Sequence, residues 1–229
     1  MAKDVGEAPR TPPPPPPAAE EVFEDLLPLA ERFVELLADT GVSHGLIGPR
    51  EVDRLWERHV LNCAVVAEFI PEDAEVVDVG SGAGLPGLAL AIARPDVTMH
   101  LVEPMARRTD WLSLAAEDLG LPHVHVHRGR AEEVDLQGDV VTARAVSKLS
   151  TLGRWMAPLA RDGAVMLALK GASAEDELAR DRQATMRAGW RDLEVVHAGV
   201  GLLDPVTTVI RGVRAPDRRP ATGRRARRR

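Results

Sequence analysis

The chain has 229 residues, 45% of them apolar and 28% charged, the composition of a globular protein of one large or two small domains. Aromatics at 3% exclude an aromatic platform for single-stranded nucleic acid, and a lone cysteine, Cys63, excludes a disulfide framework or a cysteine-rich zinc centre. Net charge is -6, but nine arginines against Asp217 between Arg211 and Arg229 give that end +8 and leave -14 on residues 1–210, so any nucleic-acid contact must be local or come from the tail.

In chain order, residues 1–19 contain six consecutive prolines, Pro12 to Pro17, and are expected to be a disordered leader of extended polyproline type. From Glu20, apolar residues at three- and four-residue spacing (Val22, Phe23, Leu26, Leu29, Phe33, Leu36) predict a helix capped by Gly41. A second helix is expected over 50–69, before Pro71. Residues 20–71 thus form a helical layer. Beyond it, strands are predicted at 75–79, 97–102, 124–127, 140–143, 164–169, 192–197 and 206–211, with helices after Gly84 and over 105–119, 150–160 and 174–188. Alternation of strand and helix implies parallel strands joined by right-handed crossovers. The last two strands lack a helix between them and should be an antiparallel edge. The expected fold of 72–213 is therefore α/β, a doubly wound, mostly parallel sheet, followed by a basic disordered tail over 214–229. No apolar run approaches the roughly 20 residues of a membrane span, and no secretory signal opens the chain, so a cytoplasmic protein with no membrane partner is expected. Without coiled-coil heptads the expected state is a monomer.

The most informative stretch is Val76-Val77-Asp78-Val79-Gly80-Ser81-Gly82-Ala83-Gly84-Leu85-Pro86-Gly87, between a predicted strand and a predicted helix. Glycines let the backbone turn sharply and approach a ligand, and a helix start offers unpaired N–H donors. Glu103 ends the next strand, 23 residues after Gly80, where an acid can take both hydroxyls of a ribose. Two adenosine cofactors compete. Gly82, Gly84 and Gly87 fit the dinucleotide fingerprint. Asp78, Gly80, Gly82 and Gly84 resemble the first motif of S-adenosylmethionine (SAM) methyltransferases. An acid at Asp78 would repel a pyrophosphate and suit a cationic methionyl amine, which favours SAM.

Methyltransferases often carry their chemistry after the fourth strand, here Thr142-Ala143-Arg144-Ala145-Val146-Ser147-Lys148. No Asn/Asp-Pro-Pro-aromatic motif for exocyclic amines and no cysteine for a pyrimidine adduct stands there. An acceptor such as guanine N7 has an in-plane lone pair and no proton to remove, so the protein need only position and desolvate it. Arg144, as the positioning catalytic residue, and Lys148 fit that need without a general base.

Five stretches, in order over residues 50–171, resemble the RsmG (GidB) family of bacterial 16S ribosomal RNA guanine-N7 methyltransferases: Glu57-Arg58-His59-Val60-Leu61, the glycine loop continuing into Leu85-Pro86-Gly87, Gly129-Arg130-Ala131-Glu132-Glu133, Thr142-Ala143-Arg144-Ala145, and Leu167-Ala168-Leu169-Lys170-Gly171. The resemblance implies a Rossmann-like SAM-dependent sheet with SAM contacts at Gly80, Leu85, Ala131, Glu132 and Arg144. It also implies 16S rRNA or the small ribosomal subunit as partner, held by Arg130, Arg144 and Lys170. Two departures, Leu46-Ile47-Gly48 where the family often has Asn-Leu-Thr and Leu61-Asn62-Cys63 where it often has Leu-Asp-Ser, bear on RNA contacts in the helical layer. An NAD-dependent oxidoreductase and a non-catalytic RNA-binding assembly factor are the alternatives. His123, His125 and His127 alternate and are expected on one strand face without completing a metal site, since no carboxylate or cysteine motif joins them. Cys63, Trp56, Trp111, Trp155 and Trp190 are expected in the core, and the arginine tail is expected to strengthen RNA capture.

Overall fold

The computed structural model describes residues 11–144 and 147–216. Residues 1–10, Ala145, Val146 and the arginine tail from 217 onward lie outside the described residues, and with them the expectation about RNA capture by the tail. The first helix, α1 (Pro17–Phe23), begins inside the proline run, three residues before the expected boundary. Proline suits a first helical turn because its missing N–H has no partner to lose there. Glu24, with φ of 47°, breaks the run, and α2 (Leu27–Leu36) restarts with Pro28 in its first turn. The single expected helix is thus two. Its expected cap is also displaced: the helical path passes through Gly41 as far as Ser43, and Gly45 takes the left-handed backbone at φ 66°.

Residues 49–69 form a second helical run of mixed pitch. Tight 3-10 turns (Pro49–Arg54 and Val65–Phe69) flank wide π turns (Leu55–Leu61) and one α turn, α3 (Asn62–Ala64). Phe33, Leu37, Leu55, Val60 and Cys63 are fully buried between these helices and the sheet. Truncating such a leucine to alanine costs about 2–5 kcal/mol. Polar bonds fix the layer's seat: Trp111 Nε1 donates to Thr40 Oγ1 at 3.0 Å, and Thr207 Oγ1 to the Asn62 carbonyl at 2.8 Å.

The sheet has seven strands in the order β3-β2-β1-β4-β5-β7-β6. They are β1 (Glu75–Val79), β2 (Thr98–Glu103), β3 (Val124–Arg128), β4 (Gly138–Arg144), β5 (Ala160–Lys170), β6 (Trp190–Ala198) and β7 (Thr207–Arg214). All pairs are parallel except β5–β7 and β6–β7, so the antiparallel edge lies where the missing helix placed it. Helices α4 (Gly87–Ala93) and α5 (Ala106–Asp118) share one face with the N-terminal layer, while α6 (Leu149–Met156) and α7 (Ala174–Arg187) cover the other. Strand order reverses at β1, between β2 and β4, so the crevice at the carboxyl ends of these strands is the expected ligand site of an open α/β sheet.

No helix joins β3 to β4 over residues 129–137. That leaves the β2–β3 face bare on the α6 side, where His100 Nδ1 lies 3.0 Å from His127 Nε2 and the His125 ring stacks on His100 at 5.3 Å. His125 and His127 share a face as expected, but His123 does not join them. It precedes the strand and turns to the opposite side, with Nε2 3.0 Å from the Ala91 carbonyl in α4. Among the described residues no group of three or more His, Cys, Asp or Glu could hold a metal ion, and no helix is long and apolar enough to cross a membrane.

Candidate active site

The glycine loop leaves β1 at Val79 and is pinned to β2 by backbone bonds. Gly80 and Ser81 N–H both donate to the Val102 carbonyl, at 2.8 and 3.3 Å, and within the loop Gly84 N–H donates to the Ser81 carbonyl at 2.7 Å. Gly80, Gly82 and Gly84 all have positive φ, between 55° and 77°, which residues with a Cβ rarely adopt. Gly87 is required for a different reason: a Cβ there would strike Leu101 and come within 2.7 Å of Asp78 Oδ2.

Glu103 closes the loop from the next strand. It is 1% exposed, and its carboxylate accepts N–H bonds from Gly82 at 3.1 Å and Met105 at 3.0 Å. Arg108 lies 3.5 Å from the same carboxylate, a long contact, and since a carboxylate has room for about four hydrogen bonds Glu103 still keeps acceptor capacity for a ligand. Beside it lies a cavity of about 570 Å³, lined by Gly80, Glu103, Met105, Arg108, Arg130, Ala131, Glu132 and Trp155 among others. That volume is in the range of small-molecule sites. A wider depression of about 810 Å³ lies against β3 and α5, away from the loop, and has no link to this chemistry.

Several expected roles change once the residues are placed. Asp78 does not line the cavity. It is fully buried, with Oδ2 accepting the Gly87 N–H at 3.0 Å and Oδ1 without a hydrogen-bond partner. Burial pushes its carboxyl up to about 7, against the Gly87 bond and the charge of Arg144. The expected contact with a methionyl amine is thus replaced by a role inside the loop. Leu85 packs its side chain into the core. Arg130 is exposed and stands on the cavity wall. Lys170 is no surface cation: its side chain is 8% exposed, and Nζ donates to the Ser147 carbonyl at 2.8 Å and to Glu177 Oε1 at 3.0 Å. Lys148 is exposed just before α6. Trp56, Trp111 and Trp190 are core residues as expected, but Trp155 is half-buried on the cavity wall.

Arg144 ends β4 on the other side of the loop from the cavity. Its NH2 lies 3.0 Å from His59 Nδ1, and its NH1 donates to the Arg58 carbonyl at 3.4 Å. His59 Nε2 is in turn 2.8 Å from Glu51 Oε2. Cys63 lies beneath, its thiol pushed up to about 11 by burial, and is unavailable as a nucleophile. No histidine, cysteine, serine or lysine lines the cavity among the described residues. Among the described residues the cavity can bind and orient, and it presents no thiol, hydroxyl or imidazole nucleophile. Sequence reasoning missed Arg108, Trp155 and Glu51. Arg108 had a local signal, since it lies in the first turn after the end of β2; Trp155, late in α6, and Glu51 had none.

Residues 27–202 match the family model described as rRNA small subunit methyltransferase G. The chain is 55% identical over 193 residues to "Ribosomal RNA small subunit methyltransferase G" of Thermobifida fusca, covering 83% of this chain and 81% of that protein. It is 54% identical over 204 residues to the protein of the same name from Rhodococcus jostii, covering 87% and 89%. Among solved structures, a putative S-adenosyl-L-methionine-dependent methyltransferase from Methanococcus maripaludis superposes with a TM-score of 0.56 at 12% identity, covering 83% of this chain and 94% of that one, a likeness of fold alone.

Proposed function

This chain belongs to the rRNA small subunit methyltransferase G family, and from that premise we propose that it methylates N7 of a guanine in the 16S rRNA of the small ribosomal subunit, with SAM as the methyl donor. One observation of the structure carries the reading: an adenosine-sized cavity beside a left-handed glycine loop, with the buried Glu103 carboxylate fixed at the end of β2 by two backbone N–H groups. The cavity suits an adenosine, with Glu103 placed for the ribose hydroxyls, Ala131 and Glu132 for the adenine, and the Trp155 ring as an apolar wall.

Bound SAM supplies a methyl group on a sulfonium centre, electrophilic enough for an unassisted in-plane lone pair to attack. The chain's own contribution is then alignment and charge. Arg144 stands beyond the loop, where the methionyl carboxylate and the incoming base would meet, and its guanidinium can donate to guanine O6 while leaving N7 free. Arg130, Arg144 and Lys148 share the carboxyl edge of the sheet and supply local positive charge to RNA on an otherwise acidic body. A cytoplasmic monomer meeting the ribosomal subunit directly completes the reading.

With methyl-labelled SAM, label should enter RNA of small subunits and not of large subunits at equal concentration. Unlabelled SAM should compete for the label while NAD should not. Equal labelling of both subunits would overturn the substrate assignment, and saturable NAD binding would restore the dinucleotide alternative. Tight RNA binding with no transfer would instead select the non-catalytic assembly factor.

A further inference from the structure

The helical layer meets the site through a chain of three side chains. Glu51 Oε2 lies 2.8 Å from His59 Nε2, and His59 Nδ1 lies 3.0 Å from Arg144 NH2. A carboxylate only accepts and a guanidinium only donates, so the two contacts fix the imidazole. Nε2 must carry the proton, and Nδ1 must present its lone pair to Arg144. One neutral tautomer satisfies both neighbours. An imidazolium would turn an N–H toward the guanidinium, donor against donor and cation against cation. The His59 side chain is 12% exposed, so water can do little to relieve that conflict.

We propose that His59, held in one tautomer by Glu51, is a positioning residue for the methyl transfer: its Nδ1 lone pair sets the Arg144 guanidinium at the mouth of the site, and a proton on His59 undoes that setting. The proposal rests on the reading of Arg144 given above. The second contact of Arg144, with the Arg58 carbonyl, comes from the same helical segment, so the segment over 51–59 serves as a bracket for the end of β4. Three charged groups face His59. Arg144 and Arg58 disfavour its protonation and Glu51 favours it; burial is the largest influence and, with Arg144, holds His59 below the ordinary histidine range. The neutral form therefore prevails at neutral pH, and the bracket opens only toward acid.

The test uses the full chain, SAM and small subunits lacking the methyl group, with Arg144→Ala as the benchmark. His59→Ala should lower kcat at least about tenfold, as expected when a reacting group loses its alignment, with a much smaller change in KM for the subunit. The double variant His59→Ala, Arg144→Ala should be no slower than Arg144→Ala alone, because His59 acts through Arg144. His59→Asn places an amide oxygen near the position of Nδ1, so it should recover part of the rate and lose the wild-type fall in kcat toward acid. Glu51→Gln keeps an acceptor for Nε2–H but removes its charge, so that fall should move to lower pH. Asp78 cannot mimic the shift, since Glu51 is not among the groups acting on it. Multiplying losses in the double variant, or an acid limb unmoved by Glu51→Gln, would overturn the proposal. Where His59→Ala fails to fold, the Asn and Gln variants decide it alone. Wild-type activity in Arg144→Ala would remove the Arg144 reading itself and the proposal with it. An inactive Arg144→Ala beside a fully active His59→Ala would remove only the proposal.

Discussion

The cofactor cavity and the Arg144 corner sit on opposite sides of one glycine loop, yet they are built by different means. The cavity draws on three short stretches, 79–80, 102–108 and 129–132, each at or just past a strand end, with Trp155 added from α6. Backbone N–H groups fix its key acid, so its geometry is set largely by the main chain. The corner is made mainly by side chains, with the Arg58 carbonyl as its one main-chain contact. Arg144 and His59 are 85 residues apart, and both of its hydrogen bonds lead to the helical layer. A site held by main chain tolerates side-chain change around it. A site held by a relay of side chains loses its geometry when one member is removed.

That contrast can be broken by substitution. Arg144→Ala should have the largest effect, a fall in methyl transfer of about 100-fold or more as an oriented donor is removed, with little change in Tm. An equally large loss of Tm would show that Arg144 is structural and erase the distinction between the two regions. Next comes Lys170→Met, which leaves the Glu177 carboxylate with the Leu149 N–H but without its buried cation. It should destabilise the fold by about 2–3 kcal/mol in a denaturant titration while the salt dependence of RNA binding stays as in the wild type. A flatter salt slope would return Lys170 to the RNA surface. Trp155→Ala should weaken SAM binding about tenfold and leave kcat at saturating SAM nearly unchanged, because it removes only an apolar wall of the cavity; calorimetry gives the affinity directly. The smallest effect is expected from Asp78→Asn. The raised carboxyl of Asp78, about 7 in the folded chain, makes the native state bind an extra proton between its unfolded value near 4 and pH 7. Wild-type stability should therefore fall as pH rises through that window. The variant should lack that slope and be the more stable form at pH 8, whereas parallel stability curves would place the Asp78 proton wrongly.

The same contrast explains what the sequence could and could not disclose. The strand-helix alternation, the antiparallel edge and the glycine loop were legible because each depends on neighbours in the chain. Glu103 was legible because a strand end in a doubly wound sheet is a place before it is a residue. The helical layer was legible as helix but not in its breaks. The break at Glu24 and the mixed pitch of 49–69 leave no mark in the spacing of the apolar residues. That mixed pitch also hid the pairing of Glu51 with His59, since a regular helix does not put residues eight apart in contact. Lys170 was misjudged because a strand-end lysine looks like a ligand contact until Glu177 of α7 folds back onto it. His123 was assigned to the wrong face because alternation holds only within a strand, and β3 starts one residue later.

The most direct test is to identify the nucleoside that receives the methyl group. Small subunits lacking the modification are incubated with the protein and methyl-labelled SAM, and their RNA is digested to nucleosides. The guanine-N7 reading predicts that all label enters 7-methylguanosine. Label in a methylated exocyclic amine or a carbon-methylated pyrimidine would contradict it.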